Sequence, residues 1–452
     1  MHAGNIMLDI EKLTRIQPEI EQLLKQFEAQ KYCYLPFYVF LLKPMHRLLQ
    51  YRVLLERLMR YYGEIHPDLS DCRIAHAKLN DLIQSQWEAY KKMENTYKLL
   101  EIQRDLIGFN PDIISSTDER NHCNHINHNN TYNNNNNNNN SNNNNNNHNN
   151  NHNHNKQTHH STLSTICASH LLGPVYHPNR QFIREGWLQK LSKKGYQPRM
   201  FFLLSDQLFY ASRTMTSNLQ FKVHGQFSLQ DLMVEEVEPA HSFTIYSGNR
   251  CFLVAASSDW QRDRWLEDIS RAILAAKTRP SSSASIMNDS TMENNNQTST
   301  KPLTCSNIET DSTQMLQRAV TSVHVCWHRC FTLSMQDILR ANEYQTSGYL
   351  LRKFKNSNGW QRLWVVFTQL CLFFYKSYRD ECPLASLPLL GYTISRPGPE
   401  DQIRRDNVLK MQFKNHVYYF RGETRHSFER WVEYLSCAAG ASRPLNTSSI
   451  VK

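Results

Sequence analysis

The sequence lacks any long hydrophobic run. In its 452 residues, no stretch approaches the roughly 18 consecutive apolar residues that predict a membrane-spanning helix. The first ten residues also lack a basic stretch followed by an apolar core, so we do not expect a secretory signal peptide. Eleven cysteines are scattered without paired spacing, which is typical of reduced thiols in the cytosol. These absences predict a soluble, cytoplasmic protein.

Motifs for metal, nucleotide or covalent chemistry are missing as well. Two clusters could ligate a metal, but neither has the second ligand pair of a structural zinc site. They are His122, Cys123, His125 and His128, and His324, Cys326, His328 and Cys330. No phosphate-binding glycine loop and no nucleophile elbow are present. We therefore expect no cofactor and no metal.

Charge and composition describe a multi-domain chain. The formal net charge is +10, and 40% of the residues are hydrophobic. The positive charge is not gathered into a stripe with exposed aromatic residues, so nucleic acid is not an expected partner. Two polar segments cannot bury enough apolar surface to fold, and we interpret 111–178 and most of 278–344 as disordered linkers. The first includes eight consecutive Asn at 133–140.

The segment 9–110 is helical in pattern. Between Asp71 and Ile107 there is no Gly and no Pro, and apolar residues recur at helical spacing. A helix over these residues would be about 55 Å long. A second apolar stripe runs from Leu35 to Tyr62, where Pro36 and Pro44 predict breaks or kinks. The pattern indicates an elongated bundle of antiparallel helices.

The segments 180–277 and 345–442 repeat one plan. Each opens with a glycine-aromatic-leucine strand, Gly186-Trp187-Leu188 or Gly348-Tyr349-Leu350, and continues through a basic turn into two apolar strands. Each closes with a helix that carries one Trp, Trp265 or Trp431. We predict two β-sandwiches or open barrels, each plugged by its helix, with Trp187, Trp265, Trp364 and Trp431 in the cores.

This repeated plan resembles the pleckstrin-homology (PH) domain. The resemblance implies that cations on the first two strands and their turn bind anionic membrane lipids, phosphoinositides among them. The candidates in the first module are Lys190, Lys193, Lys194 and Arg199, and those in the second are Lys353, Lys355 and Arg362. Gln197 in the first module and Trp360 in the second stand where the family pattern has a second lysine. Because the second module also has only Lys355 in its turn, it is expected to bind more weakly.

The string from Leu41 to Leu55 resembles the third signature region of the Dbl-homology domain, with His46 where Gln is usual. Together with two PH-like modules, and with segments such as Trp360–Phe367, the chain resembles the FERM, RhoGEF and pleckstrin-domain family. The resemblance implies that 9–110 is the C-terminal part of a Dbl-homology domain in an N-terminally truncated chain. Its candidate GTPase-binding residues are Lys43, Arg47, Gln50 and Trp87. Lys43 is expected to be an exposed cation beside a helix break.

The predicted fold is therefore multi-domain α + β, a partial helical bundle followed by two PH-type modules. The resemblance implies an exchange factor for Rho/Rac-family GTPases, weak and incomplete as this chain, that acts in actin cytoskeleton signalling. Because a regulator of this kind makes and breaks no covalent bond, the chain is predicted not to be an enzyme. It would be cytoplasmic, peripheral at the plasma membrane and associated with the cytoskeleton. The alternative is a non-catalytic adaptor whose PH domains bind membrane lipids or partner proteins.

Overall fold

The structure is a computed structural model that describes residues 3–30, 33–110, 172–214, 220–248, 250–278, 331–355 and 357–439. The two rejected metal clusters, around His122 and His324, lie outside these ranges. Within them, no helix is both long and apolar enough to cross a membrane, and no group of three or more potential ligands could hold a metal ion.

Four helices form the N-terminal bundle. They are α1 (Ala3–Ile16), α2 (Pro18–Ala29), α3 (Phe37–Tyr61) and α4 (Leu69–Asp105). The 37-residue α4 confirms the long predicted rod, and it ends before Gly108, whose φ of +78° suits glycine. Pro36 directly precedes α3, but Pro44 lies inside it. Of the break or kink predicted at Pro44, the break is absent, because α3 continues through this residue to Tyr61.

The first PH-type module is built on one antiparallel core sheet with a plugging helix. Its strands are β2 (Phe182–Ser192), β3 (Gly195–Leu204), β4 (Gln207–Arg213), β5 (Phe221–Ser228), β6 (Leu232–Val237), β7 (Ser242–Ser247) and β8 (Arg250–Ala255). Helix α5 (Asp259–Thr278) follows, and its Trp265 is fully buried among the strand residues. The short strand β1 (Leu106–Ile107), at the end of α4, extends this sheet by pairing in parallel with β5.

The second module repeats the arrangement. Its strands are β10 (Thr346–Lys353), β11 (Trp360–Thr368), β12 (Cys371–Tyr375), β13 (Ala385–Pro388), β14 (Thr393–Ser395), β15 (Val408–Phe413) and β16 (His416–Arg421). Helix α7 (Arg425–Ala438) closes the module with Trp431 fully buried. The strand order is β13-β12-β11-β10-β16-β15-β14. The predicted class, a helical bundle followed by two PH-type modules, is confirmed.

Two of the four tryptophans predicted as core residues lie elsewhere. Trp187 and Trp364 are only partly buried, and both pack on the cluster that joins the modules to the bundle. The reason is strand alternation, because neighbouring residues such as Trp187 and Leu188 point to opposite faces of the strand. Leu188 occupies the module core instead.

Parts of the predicted linkers are ordered. Before β2, Leu172, Val175 and Tyr176 are buried against the bundle. Between the modules, β9 (Thr332–Ser334) pairs with β2, and α6 (Met335–Glu343) follows with Ser334 as its N-cap. Residues 331–344, at the end of the segment predicted to be mostly a disordered linker, are therefore ordered, and the amphipathic helix α6 packs on an apolar surface.

One hydrophobic cluster joins the bundle to both modules. It contains residues of α3 and α4, residues of the outer face of the first sheet, and residues of the loop and strand β12 of the second. Representative members are Leu42, Tyr90, Leu100, Phe202, Phe221, Leu370 and Phe373. Because this core is shared, the face of α3 that carries the candidate GTPase-binding residues is positioned against the second module.

Candidate functional site

The predicted contact residue Lys43 lies on α3 and is half-buried. Its Nζ donates hydrogen bonds to Thr368 Oγ1 at 2.7 Å and to Gln345 Oε1 at 3.1 Å. Burial lowers the pKa of Lys43 to about 8, and the nearby Glu94 carboxylate partly opposes that shift. The expectation that Lys43 is an exposed cation is wrong, because the second module covers its ammonium group.

A buried polar network surrounds this contact. His46 Nε2 lies 2.6 Å from Glu94 Oε1, and the His46 ring also meets Gln345 Nε2 through Nδ1 at 3.2 Å. Asn342, at the end of α6, accepts from Gln345 Nε2 at 3.2 Å and donates to the Tyr90 hydroxyl at 3.3 Å. A network of this kind specifies one docking arrangement, because a misplaced partner would leave buried polar groups without hydrogen bonds.

Ion pairs hold the second half of α3. Arg57 and Arg60 both donate to the Glu433 carboxylate on α7, Arg60 at 2.5 Å. Tyr61 donates to Glu429 Oε2 at 2.9 Å, and Arg52 pairs with Glu343 at the end of α6. Basic residues of α3 thus face acidic residues of α6 and α7, and this charge complementarity orients the second module on the bundle.

The other three GTPase-binding candidates lie in different surroundings. Arg47 is exposed, and its guanidinium lies 4.9 Å from the Tyr51 ring centroid. Gln50 is half-buried and donates to Gln345 Oε1 at 3.4 Å. Trp87 packs against the bundle, with its ring 5.4 Å from that of Tyr90. The structure therefore brings Lys43 and Gln50 together at Gln345.

The first module has a pocket of about 200 Å³ at the open end of its sheet. Its lining residues are Lys190, Ser192, Gln197, Arg199, Tyr210 and His224. The Lys190 ammonium lies 5.3 Å from the Tyr210 ring centroid and 4.8 Å from that of Phe252. Burial and the neighbouring Arg199 guanidinium lower the pKa of Lys190. The lining is cationic and contains no carboxylate, an arrangement suited to an anion.

Lys193 and Lys194 lie on the exposed turn between β2 and β3, directly after the lining residue Ser192. The turn is held by Ser192, whose Oγ donates to the Gly195 carbonyl at 2.8 Å. Gly195 has a φ of +94°, which a residue with a side chain would adopt only under strain. The turn therefore presents two further cations in a defined place.

The corresponding cations of the second module are engaged within it. Arg362 donates to Glu423 Oε1 at 2.5 Å, and its guanidinium lies 3.4 Å from the Tyr349 ring centroid. Lys353 donates to the Ser357 carbonyl at 3.1 Å, while Lys355 is exposed. Because Glu423 offsets the charge of Arg362, this end of the second module is a poorer anion site than the first.

Sequence reasoning missed five residues that shape these sites. Gln345 and Thr368 hold Lys43, and Tyr210, Ser212 and His224 belong to the pocket of the first module or contact its lining. Gln345 follows a segment predicted to be a linker, so no sequence pattern marked it. For His224 the sequence contains no distinctive signal, because its strand mixes polar and apolar residues.

Family profiles match most of the described chain. The RhoGEF domain profile matches residues 2–86, and the PH domain profile matches residues 182–274 and 345–439. Among known proteins, FERM, ARHGEF and pleckstrin domain-containing protein 2 of Mus musculus is 38% identical over 446 residues. That alignment covers 96% of this chain and 36% of the mouse protein.

Two further relatives align with most of this chain. FERM, ARHGEF and pleckstrin domain-containing protein 1 of Gallus gallus is 37% identical over 450 residues, which cover 97% of this chain and 37% of that protein. FYVE, RhoGEF and PH domain-containing protein 6 of Homo sapiens is 24% identical, with 95% of this chain and 31% of that protein covered. The chain thus spans about a third of the length of the curated relatives it matches.

Solved structures with similar folds include the DH/PH domains of PDZ-RhoGEF in complex with RhoA. The TM-score is 0.30 at 15% identity, covering 60% of this chain and 66% of that one. The PH domain of human pleckstrin homology domain-containing protein family A member 5 gives a TM-score of 0.20 at 28% identity. That match covers 23% of this chain and 82% of the solved chain.

The prediction that the chain is not an enzyme is wrong. The match to the RhoGEF domain places residues 2–86 in a class of domains that accelerate guanine nucleotide exchange without being consumed. Such acceleration is catalysis even though no covalent bond forms or breaks, since the domain stabilises the nucleotide-free state by differential binding. With a RhoGEF domain followed by two PH domains, the chain belongs to the family of FERM, ARHGEF and pleckstrin domain-containing proteins.

Proposed function

We propose that this chain is a guanine nucleotide exchange factor for a Rho- or Rac-family GTPase and that it works at an anionic membrane surface. The observation that carries the proposal is the RhoGEF domain match at residues 2–86, which includes all of α3. The functional units we propose are 9–110 for the GTPase-binding bundle, 180–277 and 345–442 for the two PH modules, and 111–178 and 278–344 for the connections.

Lys43 and Gln50 are the proposed GTPase-contacting residues, supported by Arg47 and Trp87. Lys43 can offer a cation to carboxylate or carbonyl groups of a GTPase only when it is not bound to Thr368 and Gln345. While the Lys43 ammonium donates to Thr368 and Gln345, it is not available to a GTPase. We infer that exchange requires the second module to move away from α3, and that the closed arrangement is inactive.

The membrane part of the proposal rests on the first module. Its pocket is lined by Lys190 and Arg199, and Lys193 and Lys194 lie on the turn that follows Ser192, whereas Arg362 of the second module is paired with Glu423. Each cation near an anionic leaflet contributes about 1 kcal/mol of attraction. Lys353, Lys355 and Arg362 are proposed to add diffuse attraction only. A peripheral position at the plasma membrane, linked to the actin cytoskeleton, would follow.

The experiment measures release of a fluorescent guanine nucleotide from a panel of Rho-family GTPases. The full chain is compared with Glu433→Ala, which removes an acidic residue that holds α3. We expect slow release with the wild-type chain and clearly faster release with the variant. If neither protein accelerates release from any GTPase on the panel, the exchange function is refuted. Binding to vesicles or to a partner protein without exchange would then favour the adaptor.

A further inference from the structure

His224 occupies a special position at the pocket of the first module. In the pairing of β4 with β5, Tyr210 is opposite Gly225 and Ala211 is opposite Val223. His224 is therefore the extra residue of a β-bulge, a feature that redirects a side chain. His224 lines the pocket together with Lys190 and Arg199. The bulge contributes to this orientation of the side chain.

Two neighbours fix the imidazole in that position. The Ser212 hydroxyl lies 2.6 Å from His224 Nε2, and the rings of His224 and Tyr210 are nearly parallel with centroids 6.5 Å apart. Gly225 allows this packing, because a Cβ at that residue would lie only 2.6 Å from the Tyr210 ring. The bulge, the hydroxyl and the glycine together hold an exposed histidine at a cationic pocket.

The charges around His224 all have the same sign. Lys190 on β2, Arg199 on β3 and Lys222 on β5 are the ionisable cations near it, and Tyr210 on β4 is the remaining titratable neighbour. Partial burial, Arg199 and Lys222 lower the pKa of His224 below its ordinary value. These cationic surroundings favour the neutral form of the imidazole.

We propose that His224 is a phosphate-binding residue that takes up a proton when a phosphomonoester enters this pocket. This inference rests on the membrane part of the proposed function. A phosphomonoester carries close to two negative charges at neutral pH, so it offsets the repulsion that keeps the imidazole neutral. Protonated His224 then donates to a phosphate oxygen beside Lys190 and Arg199. By linkage, a ligand that raises the pKa of His224 binds more tightly as the pH falls.

The first test measures binding of the full chain to vesicles at about pH 6 and pH 7.5. Phosphatidylcholine vesicles contain either a phosphatidylinositol phosphate or phosphatidylserine, with the total charge matched separately at each pH because the phosphomonoester titrates near about pH 6. We expect wild-type affinity for the phosphoinositide vesicles to be about fivefold higher at the lower pH. His224→Asn should lose that increase, and His416→Asn, an exposed histidine of the second module, should keep it. Phosphatidylserine vesicles lack the phosphomonoester and should show no contribution from His224.

The second test separates a lipid headgroup from a free phosphate ester. The imidazole of His224 is titrated by NMR with and without a soluble inositol phosphate. A rise in its pKa on addition of the ligand supports the proposal, and binding of the soluble ligand alone would identify a free phosphate ester as the source. Since His224 is exposed, the asparagine variant should fold, and the NMR measurement needs no variant.

Three results would overturn the inference. Equal pH dependence in the wild-type chain and His224→Asn is one, and an unchanged His224 pKa in the presence of a bound inositol phosphate is another. The third is a lack of binding at either pH, which would also remove the membrane part of the proposed function. Nucleotide release, measured on the same preparation, would still decide the exchange function independently.

Discussion

Replacing Glu433 by alanine should open the contact between the bundle and the second module. Glu433 receives hydrogen bonds from both Arg57 and Arg60, and it is the acidic residue of α7 with two partners on α3. Arg57 is only 8% exposed, whereas the Arg60 side chain is 59% exposed. The variant therefore leaves one nearly buried guanidinium without its carboxylate in the closed state, while in the open state water solvates it.

The size of the effect follows from these surroundings. Removing one partner of a fully buried ion pair costs about 3–5 kcal/mol, and an exposed pair contributes about 0–1 kcal/mol. Arg57 retains hydrogen bonds to the His426 carbonyl at 3.1 Å and the Tyr61 hydroxyl at 3.0 Å. We therefore expect a loss of about 2 kcal/mol, which raises the open population about 30-fold because each 1.4 kcal/mol is a factor of ten.

Acylation of lysines, read out by mass spectrometry, measures that population. Lys43 reacts only when its ammonium leaves Thr368 and Gln345, so its labelling rate should rise about 30-fold in the variant. Lys25, on the exposed side of α2, is the internal reference. Glu267→Ala, which removes an exposed pair within α5, is the control and should leave Lys43 protected.

A charge exchange completes the test. Arg57→Glu combined with Glu433→Arg should restore much of the protection of Lys43, because the opposite charges again face each other. The reasoning is refuted if Glu433→Ala changes the labelling rate of Lys43 by less than about twofold, or if wild-type Lys43 already reacts as fast as Lys25. In either case, the second module does not cover α3 through this ion pair.

Two more predictions follow from the same contacts. The pKa of Lys43 is about 8 when it is buried in the closed state, against an ordinary value of 10.5. Between these two values Lys43 is protonated only in the open state. The closed state should therefore become more stable as the pH rises through this range. The difference in thermal midpoint between wild type and Lys43→Met should therefore increase from pH 7.5 to 9.5, and a constant difference would contradict the shift. Arg199→Ala should weaken sedimentation with phosphoinositide vesicles about tenfold, whereas Arg362→Ala, already paired with Glu423, should change it by less than twofold. Equal losses would contradict the assignment of the pocket to the first module.

Much of the fold could be predicted from local pattern. Residues 71–107 contain no helix breaker, and α4 covers almost all of them. Trp265 and Trp431 recur at the same place in two repeats, and both are fully buried plugs. These features could be predicted from the sequence because hydrophobic periodicity and backbone chemistry act over a few residues at a time. The family resemblance could be recognised for the same reason, since its motifs are short runs of consecutive residues.

Other features depended on residues that are distant in sequence. Lys43 looked like a free cation beside Pro44, but its partners Gln345 and Thr368 are about 300 residues further along the chain. Segment 331–344 was assigned to the linker because it lies between the polar stretch 278–320 and the second module, yet α6 packs on the surface that the bundle and the modules provide. No local pattern encodes such a surface.

The sequence by itself determined the helices, the two repeated modules and the chemical types at each candidate site. Only the tertiary structure decided which charges are available. Arg199 and Arg362 occupy equivalent places in the repeats. Arg362 is paired with Glu423, whereas Arg199 lines a pocket together with His224. The physical reason is that the charge state and accessibility of a side chain depend on burial and on neighbours within a few ångströms. Chain topology, and not sequence spacing, brings those neighbours together.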